Sequence, residues 1–167
     1  MSSAGLDNLL VDWKILEATE PAHFEAAMEL FSEYISSLDF DLSFQNVEQE
    51  RSLLPTMYGR PTGCFFLVQS GQDFIGCAGV RQIENDQTCE LKRMYIKPPF
   101  QGIGIGRALM EKAIETAQAL GYSTMKLDTI GYKMPRAVKL YERYGFLETQ
   151  PYNYNPHKGV KFFTRQL

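Results

Sequence analysis

Apolar residues recur along this chain at two spacings, and the switches between those spacings outline its elements. Trp13–Ala18 is a short apolar run that predicts a first strand. Phe24, Ala27, Met28, Phe31, Ile35 and Leu38 then recur every three or four residues, which predicts a helix with one buried stripe. Thr19 is its expected cap, with Pro21 in the first turn. Asp39–Ser43 breaks the pattern. A second, shorter helix is expected from about Asn46 to Leu54, stopped by Pro55, and Met57–Gly63 is a Gly- and Pro-containing loop. Cys64–Gln69, Phe74–Gln82 and Thr88–Ile96 follow as three apolar runs. Short turns at Ser70-Gly71 and Asn85-Asp86 separate them, so they form an antiparallel meander. Gly76 and Gly79 mark a close backbone approach or a bulge within it.

The second half switches period twice more. Leu109, Met110, Ala113, Ile114, Ala117 and Leu120 form the stripe of a helix from about Gly104 to Leu120, ended by Gly121. Thr124–Thr129 is a strand with Met125 and Leu127 on one face. Strand, helix and strand in this order imply a parallel crossover, so the sheet is mixed. Pro135–Tyr144 is a last helix with Ala137, Leu140, Tyr141 and Tyr144 on one face. Phe146–Thr149 and Val160–Arg165 close the chain as strands on either side of a polar loop, Pro151–Lys158. Residues 1–10 carry little pattern and are expected to be a loose N-terminus. With no repeat or linker in view, residues 1–167 read as a single domain.

One strand breaks its own alternation. In Thr88–Ile96, Leu91, Arg93 and Tyr95 would share a face, yet apolar Met94 and Ile96 fall on the other. The phase changes across Lys92-Arg93. A β-bulge there would insert a residue and exchange the faces. A strand that is apolar on both sides near its end would show the same pattern.

Composition narrows the function. The 17 basic and 20 acidic residues leave a net charge of −3, which argues against nucleic acid as a main partner. Three cysteines, Cys64, Cys77 and Cys89, all lie in strand-like runs, and only two histidines are present, so no zinc constellation can be drawn and no metal is expected. Buried free thiols in a reducing compartment follow. Cys89 as an acyl-accepting nucleophile lacks a histidine near it in sequence. Met1–Asn8 has neither a basic start nor an apolar core, and no run is long enough to span a bilayer. A cytoplasmic protein without a membrane partner is expected.

The run with most chemistry is Pro98-Pro99-Phe100-Gln101-Gly102-Ile103-Gly104-Ile105-Gly106-Arg107, at the junction of a strand and a helix. A helix start leaves about four N–H groups unpaired and carries roughly half a positive charge. Glycines let the main chain take positive φ and come close to a ligand. Gln101–Arg107 therefore reads as a phosphate cradle, with Arg107 adding a charge. Arg107-Ala108 replaces the Lys-Ser/Thr pair of a nucleotide triphosphatase loop. The third glycine of a dinucleotide fingerprint is missing, although an Ala variant of that fingerprint exists. A helix that merely begins in a glycine turn is the plain alternative.

Gln101-Gly102-Ile103-Gly104-Ile105-Gly106 resembles the Q/R-x-x-G-x-G/A motif of the GNAT superfamily of acyl-CoA N-acyltransferases. Glu90–Ile96 before it and Leu140-Tyr141-Glu142-Arg143-Tyr144-Gly145-Phe146 after it resemble that family too, in the right order. The resemblance covers roughly residues 60–150. It implies an α/β (α+β) fold with a mixed, mostly antiparallel sheet of about seven strands and helices on both faces. It also implies acetyl-CoA as co-substrate. Gln101, Gly102, Ile103, Gly104, Ile105, Gly106 and Arg107 would hold the diphosphate. Main-chain groups of Met94, Tyr95 and Ile96, freed by the bulge, would hold the pantetheine arm and the thioester carbonyl.

Transfer to an amine then needs a proton donor for the departing thiolate and a neutral amine. By resemblance Tyr141 is the acid, though its spacing fits a core tyrosine equally. Glu90 is the leading base, with Glu142 and Asp128 behind it and a water chain as the alternative. Phe40, Phe44 and Tyr58 are candidate acceptor contacts, or aromatics that plug a loop onto the core. Lys92 and Arg93 either grip an acceptor carboxylate or face solvent. Relatives often carry Asn where this chain has Met134, so that contact is expected to be absent or replaced by Thr129 or Arg136. The expected function is N-acetylation of a primary amine on a small molecule by direct attack. A non-catalytic acyl-CoA-binding module and a peptide-directed acetyltransferase are the alternatives, as a monomer or a homodimer.

Overall fold

The computed structural model describes residues 11–38, 47–131 and 133–167. Phe40 and Phe44 lie outside the described residues, as does the N-terminal segment 1–10. The elements run β1 (Lys14–Glu17), α1 (Pro21–Ser37), α2 (Val47–Met57), β2 (Cys64–Ser70), β3 (Asp73–Gln82), β4 (Thr88–Ile96), α3 (Ile105–Ala119), β5 (Thr124–Ile130), α4 (Pro135–Arg143), β6 (Leu147–Thr149) and β7 (Val160–Gln166). A single 3-10 turn, Pro98–Phe100, leads from β4 toward α3.

All seven strands join one sheet in the order β1-β2-β3-β4-β5-β7-β6. Every neighbouring pair is antiparallel except β4 and β5, which α3 connects as a parallel crossover. Period-two alternation explains the layers. Phe66, Val68, Ala78, Val80, Cys89 and Leu91 turn to one face and meet Leu109, Met110, Ala113 and Ala117 of α3. Phe65, Leu67, Cys77 and Tyr95 turn to the other and meet Ala27 and Leu30 of α1 with Leu54 of α2. Tyr141 of α4 joins the α3 side, with Ala137, Leu140 and Tyr144 packed against the same cluster. The sheet therefore has helices on both faces, and among the described residues no helix is long and apolar enough to cross a membrane.

Three local expectations change. The N-cap of α1 is Glu20 rather than Thr19, because His23 Nδ1 accepts the N–H groups of both Thr19 (3.2 Å) and Glu20 (3.3 Å). Helix α2 runs through Pro55 to Met57, because Leu54 and Tyr58 are both buried and the Tyr58 N–H still reaches the Leu54 carbonyl at 3.0 Å. Tyr58 is no acceptor contact. Its ring is fully buried, edge-on to Phe65 at 5.4 Å, and lies so close over Gly79 that a Cβ there would meet it at 2.6 Å. Gly79 is thus the close approach that the meander signalled.

Candidate active site

The opening of the sheet begins at the bulge in β4. Cys77 pairs with Tyr95 and Gly79 with Lys92, so Ala78 alone faces both Arg93 and Met94. Arg93 takes the left-handed conformation, φ 58°, and the Cys77 thiol donates to its carbonyl at 3.2 Å. The faces exchange there as the broken alternation required. Cys89 and Leu91 point to α3 before the bulge, and Met94 and Ile96 point there after it.

Beyond the bulge the strands part. β4 and β5 pair only through Thr88–Thr124, Cys89–Met125 and Glu90–Lys126, while the rest of β5 pairs with β7 alone. The Lys97 N–H goes to the Ile75 carbonyl at 2.9 Å. Alternate residues of an antiparallel ladder turn their groups the opposite way, so Ile96 directs its N–H and C=O toward the gap. Its carbonyl accepts Gln101 Nε2 at 2.9 Å, which ties the glycine turn to the strand end.

The turn itself is an anion cradle by geometry. Gly102 (φ 82°) and Gly104 (φ 99°) are both left-handed, and a Cβ on either would meet no atom within 4 Å. Conformation, not crowding, requires glycine at these two positions. Gly104 is the N-cap of α3, no side chain caps that helix, and its first turn holds no acidic residue. The free N–H groups and the helix dipole thus face open space. Ile105 anchors the turn in the core, 1% exposed, while Ile103 stands out at 45%. Arg107 is exposed in the first turn and hydrogen-bonds Tyr144, whose hydroxyl also donates to Glu111 Oε1 at 2.6 Å. Gly106 differs from the other two: its Cβ would rest 3.4 Å from Ile96 Cδ1, an ordinary contact, and its φ is not positive.

Between the parted strands lies a cavity of about 90 Å³. Leu91–Met94 of β4, Asp128–Ile130 of β5, Tyr34 of α1, Met134 at the N-cap of α4 and Tyr141 within α4 line it, with Asn155 from the loop before β7. Burial drives the Tyr141 phenol pKa upward, and Tyr34 and Asp128 add to the rise, so its proton is retained. Burial raises the Tyr34 phenol as well, opposed by Arg93. Asp128 accepts the side-chain amides of Asn153 (3.2 Å) and Asn155 (3.4 Å), both on Oδ2. Thr129 is 92% buried by its 8% exposure, and its Oγ1 has no hydrogen-bond partner. A buried hydroxyl without a partner is uncommon, and here it stands at the wall of a cavity.

Glu90, the leading base from the sequence, does not line this cavity. It is 1% exposed. Its Oε1 takes Arg81 at 2.9 Å and Lys92 at 3.7 Å, and its Oε2 takes the Tyr152 hydroxyl at 2.7 Å. Burial works against its charge, but Lys92, Arg81 and Tyr152 outweigh burial and hold its carboxyl below the usual range. A carboxylate so held is a weak proton acceptor. Asp128, the weaker alternative from the sequence, is the carboxylate on the wall, and Glu142 is exposed on the outside of α4. Thr129, one of the two residues expected to replace the missing Asn contact, lines the cavity, whereas Arg136 is exposed and off the wall. Met134 instead accepts the Tyr34 hydroxyl on its sulfur at 4.0 Å. Lys92 and Arg93 do not face solvent: both line the cavity, and Arg93 stacks 4.1 Å over the Phe31 ring. Tyr95 turns its side chain to the α1 side, where its hydroxyl donates to Glu33 at 2.8 Å, and its main chain pairs with Cys77 of β3. Tyr34 escaped the sequence analysis, although it lies three residues beyond Phe31 on the same helix face.

A splayed parallel pair, a glycine turn opening a helix and a tyrosine at the gap are the features that the resemblance to acyl-CoA N-acyltransferases implied. The sequence profile of the acetyltransferase (GNAT) family matches residues 24–146, and the chain belongs to that family. It is 34% identical to an uncharacterized N-acetyltransferase of Schizosaccharomyces pombe, over 83% of this chain and 85% of that one. It is 39% identical to the N-acetylaspartate synthetase of Danio rerio over 57% of this chain, which spans only 35% of that longer protein. An acetyltransferase from Streptococcus agalactiae shares the fold with a TM-score of 0.75 at 22% identity, covering 93% of this chain and 98% of the other. YncA from Salmonella typhimurium, solved with its cofactor acetyl-CoA, superimposes with a TM-score of 0.68 at 17% identity, covering 92% and 93%. The protein is thus an acetyl-CoA-dependent N-acyltransferase by family. Its residues fit that co-substrate: the uncapped helix start with open space above Gly102 and Gly104 suits a diphosphate, and the unpartnered Thr129 hydroxyl suits a polar arm.

Proposed function

We propose that this chain transfers the acetyl group of acetyl-CoA to the primary amine of a small molecule by direct attack in a ternary complex. The observation that carries the proposal is the cavity in the sheet, which a protonated phenol, Tyr141, and the carboxyl group of Asp128 both line. Bound acetyl-CoA supplies an acetyl carbon already activated as a thioester. The main-chain amides of Gly102–Arg107 hold the diphosphate. The free main-chain edge of Met94–Ile96 holds the arm and polarises the acyl oxygen. Asp128 accepts a proton from the incoming ammonium, which frees the nitrogen lone pair for attack. Tyr141 Oη donates its proton to the departing sulfur and recovers one from the acylated nitrogen. The proton left on Asp128 passes to water. Glu90 acts at a distance, holding Lys92 and Tyr152 in place.

Direct attack is favoured over an acyl-enzyme because burial pushes all three thiols up to about 12, and none lines the cavity. The small cavity favours a small acceptor over a peptide, and relatives named for making N-acetylaspartate support an amino compound. Orientation supplies much of the rate, up to about 7–11 kcal/mol at best. The test is release of free thiol from acetyl-CoA across a panel of amines. In Tyr141→Phe, kcat should fall roughly 10²–10⁴-fold with CoA affinity unchanged. Unchanged turnover would remove Tyr141 from the chemistry, and no thiol release with any amine would sink the enzyme reading.

A further inference from the structure

The loop before β7 is tied to the sheet by side chains that reach two carboxylates on neighbouring strands. Tyr152 donates its hydroxyl to Glu90 Oε2 at 2.7 Å. Asn153 divides its amide: Nδ2 donates to Asp128 Oδ2 at 3.2 Å and to the same Glu90 Oε2 at 3.5 Å. Asn155 donates to Asp128 Oδ2 at 3.4 Å, and its own Oδ1 accepts the His157 N–H at 3.2 Å, a local turn that fixes which end of this amide meets the carboxylate. For Asn153 the opposite end is bare: its Oδ1 is buried and among the described residues has no hydrogen-bond partner. A buried polar atom left without a partner calls for a reason. The two carboxylates supply it. Turned end for end, the amide would lose both of its bonds and press its oxygen against Glu90 and Asp128. Glu90 is the fixed charge of the two, because Arg81 (2.9 Å) and Lys92 (3.7 Å) both hold its Oε1.

Asn153 is absent from the cavity wall, whereas Asp128, its nearer partner, lines it. Resting on the reading of Asp128 as the base, we infer that Asn153 is a positioning residue that holds the Asp128 carboxylate for the incoming ammonium, and that Glu90 serves the reaction by fixing the direction of that amide. A donor on a carboxylate favours its charged form, which is the form that accepts a proton. The surroundings of Asp128 are otherwise set by groups that Asn153 does not supply. Tyr34 of α1, Lys92 and Arg93 of β4 and Tyr141 of α4 line the cavity with it. Glu90, Tyr152 and His157 stand beside the two amides. On β7 the residue paired with Asp128 is the uncharged Phe162, and on its own strand Lys126 is paired with Glu84. A substitution at Asn153 leaves all of these side chains unchanged.

The experiment records kcat/KM against pH on the intact protein by thiol release, with the most active amine of the panel, and CoA affinity by titration calorimetry. Asn153→Ala should move the acid limb of the profile upward by about one pH unit, roughly tenfold in rate at its foot, the size of one hydrogen bond to a charged group. Asn153→Asp, which keeps the shape and puts an acceptor where the donor was, should move it at least as far. CoA affinity should match the parent in both. A loop that only braces the sheet would lower stability in urea, or activity at every pH alike, with the limb unmoved, and that result overturns the inference. In Glu90→Gln the side chain at position 90 can meet either end of an amide, so the shift caused by Asn153→Ala should shrink there; an equal shift in both backgrounds overturns the part given to Glu90. If Asp128→Asn abolishes turnover while Asn153→Ala leaves the limb in place, the base stands and the inference fails. If Asp128→Asn keeps the parent's rate and limb, or no amine releases thiol, the inference falls together with the reading of the site.

Discussion

Gly104→Ala isolates one torsion angle. Gly104 sits at φ 99°, ψ 0°, and a Cβ there would touch nothing within 4 Å. The substitution therefore has no steric term beyond its own backbone. The left-handed conformation costs an L-residue about 1–2 kcal/mol. That cost has two routes. If the turn keeps its shape, the folded state loses the full amount and CoA binds the survivors as before. If the turn relaxes to negative φ, stability barely changes and the N–H groups of the helix start swing away from the diphosphate. Gln101–Gly104 are all exposed and bury little that would hold them, so the second route wins. Binding must then restore the strained turn, and the CoA dissociation constant rises roughly 5- to 30-fold.

Gly106→Ala is the control. Its φ is not positive and its Cβ would make only an ordinary contact with Ile96. It should stabilise α3 by up to about 1 kcal/mol through helix propensity and disturb binding less. Gly104→Asn should recover part of the loss, because Asn enters the left-handed region more readily. Calorimetric titration with CoA, paired with urea unfolding of each variant, separates the two routes. If Gly104→Ala binds CoA as the parent does, or Asn proves worse than Ala, the conformational account of the cradle is wrong.

Three further outcomes follow from buried groups. Thr129→Val removes an unpartnered hydroxyl at constant volume, so unfolding should become harder by up to about 1–3 kcal/mol while acetyl-CoA affinity drops; a fall in stability would mean the hydroxyl has a partner. Because the folded Glu90 carboxyl is held below its unfolded value of about 4.3, its stabilisation is fully present above that pH and lost as pH falls through the lower folded value. Glu90→Gln should therefore flatten the acid limb of the stability–pH curve, measured by urea titration, and an unaltered limb would refute the assignment. With their thiols pushed up to about 12, Cys64, Cys77 and Cys89 should resist alkylation at pH 8 until urea unfolds the chain, and fast modification of native protein would contradict their burial.

Local signals carried far in this chain. The broken alternation at Lys92-Arg93 located the bulge, because side-chain direction follows φ/ψ within two or three residues. The glycine turn was legible for the same reason: a strand end, two left-handed glycines and an uncapped helix start are all neighbours in sequence. Tertiary structure decided everything that depends on which strands lie side by side. Glu90 reads as a candidate base from its own strand; only the fold shows Arg81 of β3 and Tyr152 of the loop before β7 on its carboxylate, both invisible from that strand. Tyr58 looked like a pocket residue until Gly79 made room for it in the core. Tyr34, Asp128 and Tyr141 come from three distant segments and meet only because β4 and β5 part after three residue pairs. Periodicity reports which way a residue points relative to its own backbone, whereas charge, acidity and access depend on neighbours that only the pairing of strands supplies.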